Sequence, residues 1–128
     1  QILHETGGLR YKEEIASGKA YEGRKDLGNI VKGDGPLFKG RGAIQLTGRT
    51  NYDKYGRFIG VDLLANPKLV AENYYVDVAG WFWNSKGLNS YADKDDVMII
   101  TRRINGGING LEDRKLWLSK LKKVYGVK

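Results

Sequence analysis

Residues 38–52, Phe-Lys-Gly-Arg-Gly-Ala-Ile-Gln-Leu-Thr-Gly-Arg-Thr-Asn-Tyr, contain the most informative pattern of the chain. Glycines at 40 and 42 allow the backbone to approach another surface closely. The run 43–46 predicts a short buried strand, with Gln45 and Thr47 at its end. Thr50 and Asp53 have the spacing of a capping box, which predicts a helix from that point. The stretch favours a polar site between two ordered elements, although glycine turns in a plain scaffold have a similar pattern.

A second stretch, His4-Glu5-Thr6-Gly7-Gly8, accompanies it at the start of the chain. Residues 1–6 are predicted to form a helix end, which Gly7 and Gly8 terminate. Glu5 falls in the last turn, where the helix dipole disfavours a carboxylate. Its presence there makes Glu5 a candidate functional acid.

Composition limits the classes of protein to consider. A chain of 128 residues and 14.4 kDa with 41% hydrophobic residues is expected to form one domain, 1–128. The absence of cysteine excludes disulfides, thiolate nucleophiles and cysteine-ligated zinc. The net charge of +7 favours an acidic partner. Because the chain starts at Gln1 without an initiator methionine, we expect that upstream sequence has been removed.

Hydrophobic periodicity predicts mainly helical structure. Asn66-Pro67 is predicted to begin one long, central buried helix that ends near Lys86-Gly87. Asp93 or Asp95 is expected to cap a further helix that runs to residue 104, and residues 111–125 outline the last one. Residues 21–36 are rich in turn residues and predict a long loop. The predicted fold class is mainly α (α+β), with a small β element near residues 43–46.

Few kinds of catalytic chemistry remain open to this composition. His4 is the single histidine, and no serine has the surroundings of a nucleophile elbow. No second histidine follows at the spacing of a zinc protease, and no phosphate-loop or dinucleotide fingerprint is present. We therefore expect neither a metal nor a cofactor, and carboxylates are the remaining candidates.

Hydrolysis of a glycosidic bond requires two such groups. Glu5 and Glu14 are nine residues apart and would point in opposite directions on one continuous helix. A break at Gly7-Gly8 would let Glu14 face Glu5 across a groove, and a separation of roughly 6.5–9.5 Å would predict inversion. Glu22 competes with Glu14 for the second role. Thr47 could hold the attacking water, or could cap a helix instead.

Polar and aromatic residues supply candidate contacts to a sugar. Amide side chains could bind sugar hydroxyls and acetamido groups, and aromatic rings could stack on sugar rings, although Trp83 and such amides also serve as ordinary core, turn or cap residues. The candidate substrate-binding residues are His4, Tyr21, Glu22, Gln45, Asn51, Tyr52, Asn105 and Arg114.

The chain contains four motifs in this order: residues 4–8, Ala20-Tyr21-Glu22-Gly23-Arg24, residues 38–52 and Ile104-Asn105-Gly106-Gly107. Together they resemble glycoside hydrolase family 19, which comprises chitinases and related bacteriophage endolysins. The resemblance implies a lysozyme-like, mainly α fold and inverting cleavage of β-1,4 links beside N-acetylated sugars. It implies that Glu5 is the general acid, Glu14 the general base and Thr47 the residue that holds the water. By the same resemblance Gln45, Asn51 and Asn105 bind substrate, and Arg114 matches a cleft-side arginine. Family members carry further helical sequence before the His-Glu motif.

The resemblance leaves peptidoglycan and chitin as possible substrates. Peptidoglycan carries carboxylates and chitin is neutral, so the charge of +7 favours the bacterial wall. Short length, absent cysteine and the lack of a carbohydrate module also resemble an endolysin. We expect a monomer that neither binds nucleic acid nor inserts stably into a membrane. It would be released from the host cytoplasm to the cell wall, or secreted.

Two other classes of function stay open. Lys39, Arg41, Arg49 and Arg57 lie among glycine and aromatic residues, as in loops that contact RNA. A nucleic-acid-binding module would bind oligonucleotides in a salt-dependent way and would be indifferent to Glu5→Gln. A catalytically inactive sugar-binding protein would keep binding without turnover.

Overall fold

A computed structural model describes all 128 residues, in two compact units. The first unit comprises Gln1–Arg10 and Phe82–Lys128, and the second comprises Tyr11–Trp81. The helices are α1 (Ile2–Glu5), α2 (Asp34–Leu37), α3 (Arg49–Ile59), α4 (Leu69–Glu72), α5 (Asp77–Ser85), α6 (Asn89–Ala92), α7 (Val97–Asn105) and α8 (Leu111–Tyr125). None of them is both long enough and apolar enough to span a bilayer. The mainly α fold class is confirmed.

Two tyrosines of α3 are central to the core of the second unit. Tyr52 and Tyr55 lie three residues apart, so they share one helix face, and both are fully buried. The ring of Tyr52 packs 5.2 Å from that of Phe38, and the ring of Tyr55 packs 5.3 Å from that of Trp81. The buried hydrophobic cluster consists of Phe38, Leu46, Tyr52, Tyr55, Leu63, Val70 and Val78.

The strand expected at residues 43–46 is wrong. These residues form a tight turn, and the β structure consists of isolated bridges of Arg41 with Glu13 and with Leu46. Two backbone hydrogen bonds close the turn, from the Arg41 N–H to the Leu46 carbonyl (3.1 Å) and in return (2.8 Å). The apolar residues are buried because the turn packs into the core. The short apolar run therefore predicted the burial of these apolar residues correctly, but it predicted an extended conformation incorrectly.

The predicted helix after residue 50 is present, but its N-terminus differs. α3 begins at Arg49, and its N-cap is Gly48, which has φ of +93° and makes no side-chain cap. Thr50 is already inside the helix, so the capping box with Asp53 does not form. A side chain at Gly48 would collide with Leu27, which explains why the cap position holds glycine here.

One long helix from residue 66 was also a wrong prediction. The segment forms two helices, α4 and α5, separated by a turn at residues 73–76. The Tyr75 carbonyl accepts a hydrogen bond from the Ala43 N–H (2.9 Å) instead of a helical partner. A tertiary contact thus overrides the local helical pattern.

In the first unit, α7 is capped by Asp96 rather than by Asp93 or Asp95. The Asp96 carboxylate accepts from the Ile99 N–H at 3.1 Å. Asp95 has φ of +55° and pairs with Lys122 at 2.7 Å. The last helix has the predicted extent, and α6 was not predicted.

Candidate functional site

Glu5, at the end of α1, forms an ion pair with Arg114 of α8. The guanidinium donates to the Glu5 carboxylate at 2.7 Å, to the Gln1 side-chain oxygen at 2.5 Å and to the Asn109 carbonyl at 3.1 Å. Arg114 is 2% exposed. Acceptors from α1 with its N-cap residue and from the turn before α8 thus converge on one buried cation, which fixes the position of Glu5.

His4 makes the neighbouring contact between the same helices. Its Nδ1 atom lies 2.7 Å from the Asp113 carboxylate. A Cβ atom at Gly110 would come within 2.2 Å of the His4 ring, so only glycine lets the ring lie against this turn. The pairs His4–Asp113 and Glu5–Arg114 therefore align α1 on the N-terminal turn of α8.

Glu14, in the second unit, is held through both carboxylate oxygens. Oε1 accepts from the Gly40 N–H at 2.8 Å, and Oε2 accepts from the Tyr21 hydroxyl at 2.9 Å. The Glu14 backbone N–H donates to the Gly40 carbonyl at 2.9 Å. Burial, followed by the hydrogen bond to Glu14, raises the pKa of Tyr21. A carboxylate that accepts two donors in fixed directions keeps lone pairs available for a third, such as water.

Glu22 has a different environment from Glu14. Its two oxygens accept from the Gly33 and Gly35 N–H groups, each at 2.8 Å. The bond from Gly35, followed by that from Gly33, lowers the pKa of Glu22. Glu22 closes the loop that leads into α2. Each of the two candidates for the second carboxylate thus accepts two hydrogen bonds, and the choice of Glu14 over Glu22 stays a prediction.

The Glu5 and Glu14 carboxylates belong to different units, and their predicted opposition across a groove stays a prediction. The catalytic roles of Glu5, Glu14 and Thr47 also stay predictions. No group of three or more His, Asp or Glu side chains is arranged to bind a metal ion.

Among the polar residues of the 38–52 stretch, Gln45 lies in the turn, Thr47 follows it, and Asn51 lies in the first turn of α3. Gln45 is exposed, and its side chain covers Gly40, where a Cβ would approach Oε1 to 2.6 Å. Asn51 is partly buried and donates to the Thr47 carbonyl at 2.9 Å. Thr47 is partly exposed and precedes the cap rather than forming it.

Tyr52 requires a correction. Its side chain is 0% exposed, and its hydroxyl donates to the Lys39 carbonyl at 2.5 Å and accepts from Arg41 at 3.1 Å. Burial raises the pKa of Tyr52 to about 12. Both faces of the ring are enclosed, so Tyr52 belongs to the core and cannot stack on a sugar.

Two remaining aromatic and amide candidates lie at the surface of the first unit. Asn105 is exposed at the last residue of α7, followed by Gly106 in the left-handed conformation. Trp83 is partly exposed, and its indole N–H donates to the Asn89 side-chain oxygen at 2.8 Å.

The cations proposed to contact nucleic acid are paired with carboxylates. Arg41 and Lys39 contact Glu13 at 3.0 and 3.5 Å. Arg49 contacts buried Asp34 with two nitrogens at 2.8 Å, and Arg57 contacts Asp53 at 3.1 Å. Their charges are largely neutralised within the protein, which disfavours the nucleic-acid hypothesis.

Sequence reasoning missed several supporting contacts. Nothing in the local pattern indicates that the hydroxyl of Tyr21 reaches Glu14, because the intervening segment is irregular. The same is true of the Gly40 N–H. Asp113 carried a weak signal, since opposite charges are adjacent at the start of α8. Arg114 was predicted to bind substrate, but it is 2% exposed and its guanidinium donates to Glu5, Gln1 and Asn109, so it holds Glu5 instead.

Comparison with known proteins places these residues in a family. The sequence model of the family described as chitinase class I, glycoside hydrolase family 19, matches residues 4–105. The chain belongs to glycoside hydrolase family 19. A family 19 domain-containing protein of Haemophilus influenzae is 38% identical over 105 residues, which cover 80% of this chain and 50% of that protein. An endochitinase of Arabidopsis thaliana is 41% identical over 110 residues, 84% of this chain and 37% of the endochitinase.

A solved structure of the same family has the same fold. The crystal structure of chitinase C from Streptomyces griseus matches with a TM-score of 0.82 and 26% identity, over 99% of this chain and 69% of that one. This match confirms the lysozyme-like, mainly α fold of family 19. The chain spans half or less of the length of the two curated relatives named above.

Proposed function

We propose that this chain is the catalytic part of an inverting glycosidase that cleaves β-1,4 links in polymers of N-acetylated amino sugars. The proposal rests on one observation above all. The family 19 match spans residues 4–105, which include Glu5 and Glu14, and each of these carboxylates accepts hydrogen bonds that hold it in place. Fixed carboxylates are the groups that such hydrolysis requires.

In the proposed reaction, Glu5 donates a proton to the oxygen of the leaving sugar. Glu14 accepts a proton from a water molecule as that water attacks the anomeric carbon from the opposite face. Thr47 holds this water through its hydroxyl. The Gly40 N–H and the Tyr21 hydroxyl keep the Glu14 carboxylate in one orientation, which lowers the entropic cost of reaching the transition state.

We further propose that the polymer is bacterial peptidoglycan. The basis is electrostatic, because peptidoglycan is acidic and the chain has a net charge of +7. Lys120, Lys123 and Lys128 lie on or after the last helix, where no acidic residue is adjacent in the sequence. Endolysin-like release to the wall, or secretion, and a monomeric state belong to the same proposal.

Chitin is the second candidate, and a specific observation favours it. The curated relatives include endochitinases, and a solved structure with the same fold is a chitinase. Chitin has no charge, so activity on it would depend little on salt, whereas activity on peptidoglycan would fall as salt screens the attraction.

A reducing-end assay on purified sacculi and on chitin oligomers tests both candidates. We expect the wild type to release reducing ends from sacculi, with a rate that falls severalfold between low and 0.3 M salt. Glu5→Gln and Glu14→Gln should each lose roughly 10³-fold or more. Glu112→Gln, an exposed carboxylate of α8, is the matched control and should retain activity. Turnover of chitin oligomers with inert sacculi would reverse the choice of substrate, and no turnover of either would reject the proposed function.

A further inference from the structure

Tyr21 was expected to stack on a sugar ring, but its hydroxyl has another partner. It donates to Oε2 of Glu14 at 2.9 Å, on the oxygen that the Gly40 N–H does not contact. The tyrosine itself is fixed at the end of the 3₁₀ turn Lys19–Tyr21, and its carbonyl accepts from the buried Asn29 side chain at 2.9 Å. The donor is therefore supplied by an ordered element.

We propose that Tyr21 is a positioning residue for the general base Glu14, and not a sugar-stacking residue. The inference rests on the proposed function for the role of Glu14. With one donor on each oxygen, rotation of the carboxylate about its last bond would break both hydrogen bonds. The remaining lone pairs of Glu14 then point in directions set by Tyr21 and Gly40, and the attacking water is held in one of them.

Two cations and one further carboxylate lie near Tyr21 and Glu14. Arg24 lies 6.0 Å from the centre of the Tyr21 ring. Lys39 donates to the Glu14 backbone carbonyl at 3.3 Å and pairs with Glu13 at 3.5 Å. Neither cation donates to the Glu14 carboxylate in place of Tyr21. The hydroxyl is thus the side-chain group that contacts Oε2.

Tyr21→Phe separates the two roles, because it keeps the ring and removes the hydroxyl. A positioning role predicts that kcat on the cleaved polymer falls at least about tenfold while KM changes less than twofold. Tyr125→Phe removes a hydroxyl from an exposed tyrosine and should match the wild type.

The stacking role predicts the opposite result. Tyr21→Phe would then behave as wild type, and Tyr21→Ala would raise KM. That outcome would overturn the proposal. Near-UV circular dichroism of each variant checks that the fold is retained.

A measurement that needs no turnover tests the contact itself. Burial and the bond to Glu14 raise the pKa of Tyr21 above its ordinary value of 10.0. In Glu14→Gln the pKa of Tyr21 should fall towards that value, because the negative acceptor is gone. A titration of ¹³Cζ-labelled tyrosine by NMR, assigned with Tyr21→Phe, measures it. An unchanged Tyr21 pKa would refute the contact, whereas a shifted pKa in an inactive wild type would reject only the proposed function.

Discussion

Replacement of Arg114 by methionine is expected to destabilise the first unit by about 3 kcal/mol. The guanidinium is 2% exposed and donates to Glu5, Gln1 and the Asn109 carbonyl. Removal of one partner of a buried ion pair costs roughly 3–5 kcal/mol. The side chain of Glu5 is 23% exposed, so water can solvate the remaining carboxylate, and the lower end of the range applies.

The assay is urea denaturation followed by circular dichroism at pH 7, with Lys115→Met as the matched control. Lys115 is the next residue of the same helix, and its exposed ammonium lies 3.7 Å from Glu112. Its loss should cost less than about 0.5 kcal/mol. Arg114→Lys should fall between the two, because an ammonium cannot reach all three acceptors. A loss below about 1 kcal/mol in Arg114→Met, with an unchanged m-value, would refute the reasoning.

Three further changes test other parts of the structure. Asp34 is 1% exposed, and the hydrogen bond from Arg49 lowers the pKa of Asp34 from the ordinary 3.8. The Asp34 carboxylate should therefore contribute fully to stability above about pH 4, and this contribution should disappear as the pH falls through the lowered pKa. Urea midpoints of Asp34→Asn should therefore vary less with pH in that acid range than those of the wild type, and an equal decline would contradict this. Gly42→Ala places a Cβ 2.4 Å from Val78 at φ of +106°, and should lower the free energy of unfolding, measured by thermal unfolding, by about 2–4 kcal/mol. The control Gly60→Ala, at φ of +73° with no neighbour near the Cβ, should lower it by about 1 kcal/mol. Equal losses would argue against the close contact. Glu22→Gln should accelerate hydrogen exchange of the Gly33 and Gly35 amides roughly tenfold, with Glu72→Gln as the control, and unchanged exchange would mean that Glu22 does not hold this loop.

The sequence predicted helices best where local signals act without competition. The last helix, Leu111–Tyr125, lies between glycines with positive φ and has the predicted extent. Residues 66–86 were predicted as one helix, but the Ala43 N–H donates to the Tyr75 carbonyl, and the segment forms two helices. Such a contact joins residues 32 positions apart in sequence and leaves no local pattern. The apolar run 43–46 failed for a related reason, because burial in a turn and burial in a strand have the same composition.

In the candidate site, too, the sequence indicated local features but not contacts between distant residues. Residue types that carry chemistry, such as Glu5 and Glu14, could be identified because a single histidine and no cysteine left few alternatives. The groups that hold them could not. The Gly40 N–H has no side chain to indicate its role, and Tyr21 is one of eight tyrosines. Tyr52 was misassigned to substrate because an aromatic residue beside a polar stretch suits a core and a sugar site equally.

The proposed mechanism requires Glu5 and Glu14 to act together on one glycosidic bond with a water between them. The most direct test is the anomeric form of the first product, followed by ¹H NMR during the first minutes of cleavage of a β-linked oligomer. Inversion predicts that the new reducing end appears as the α anomer before mutarotation. Initial release of the β anomer would contradict this mechanism, because retention means that a protein carboxylate or the acetamido group of the substrate, and not water, attacks the anomeric carbon first.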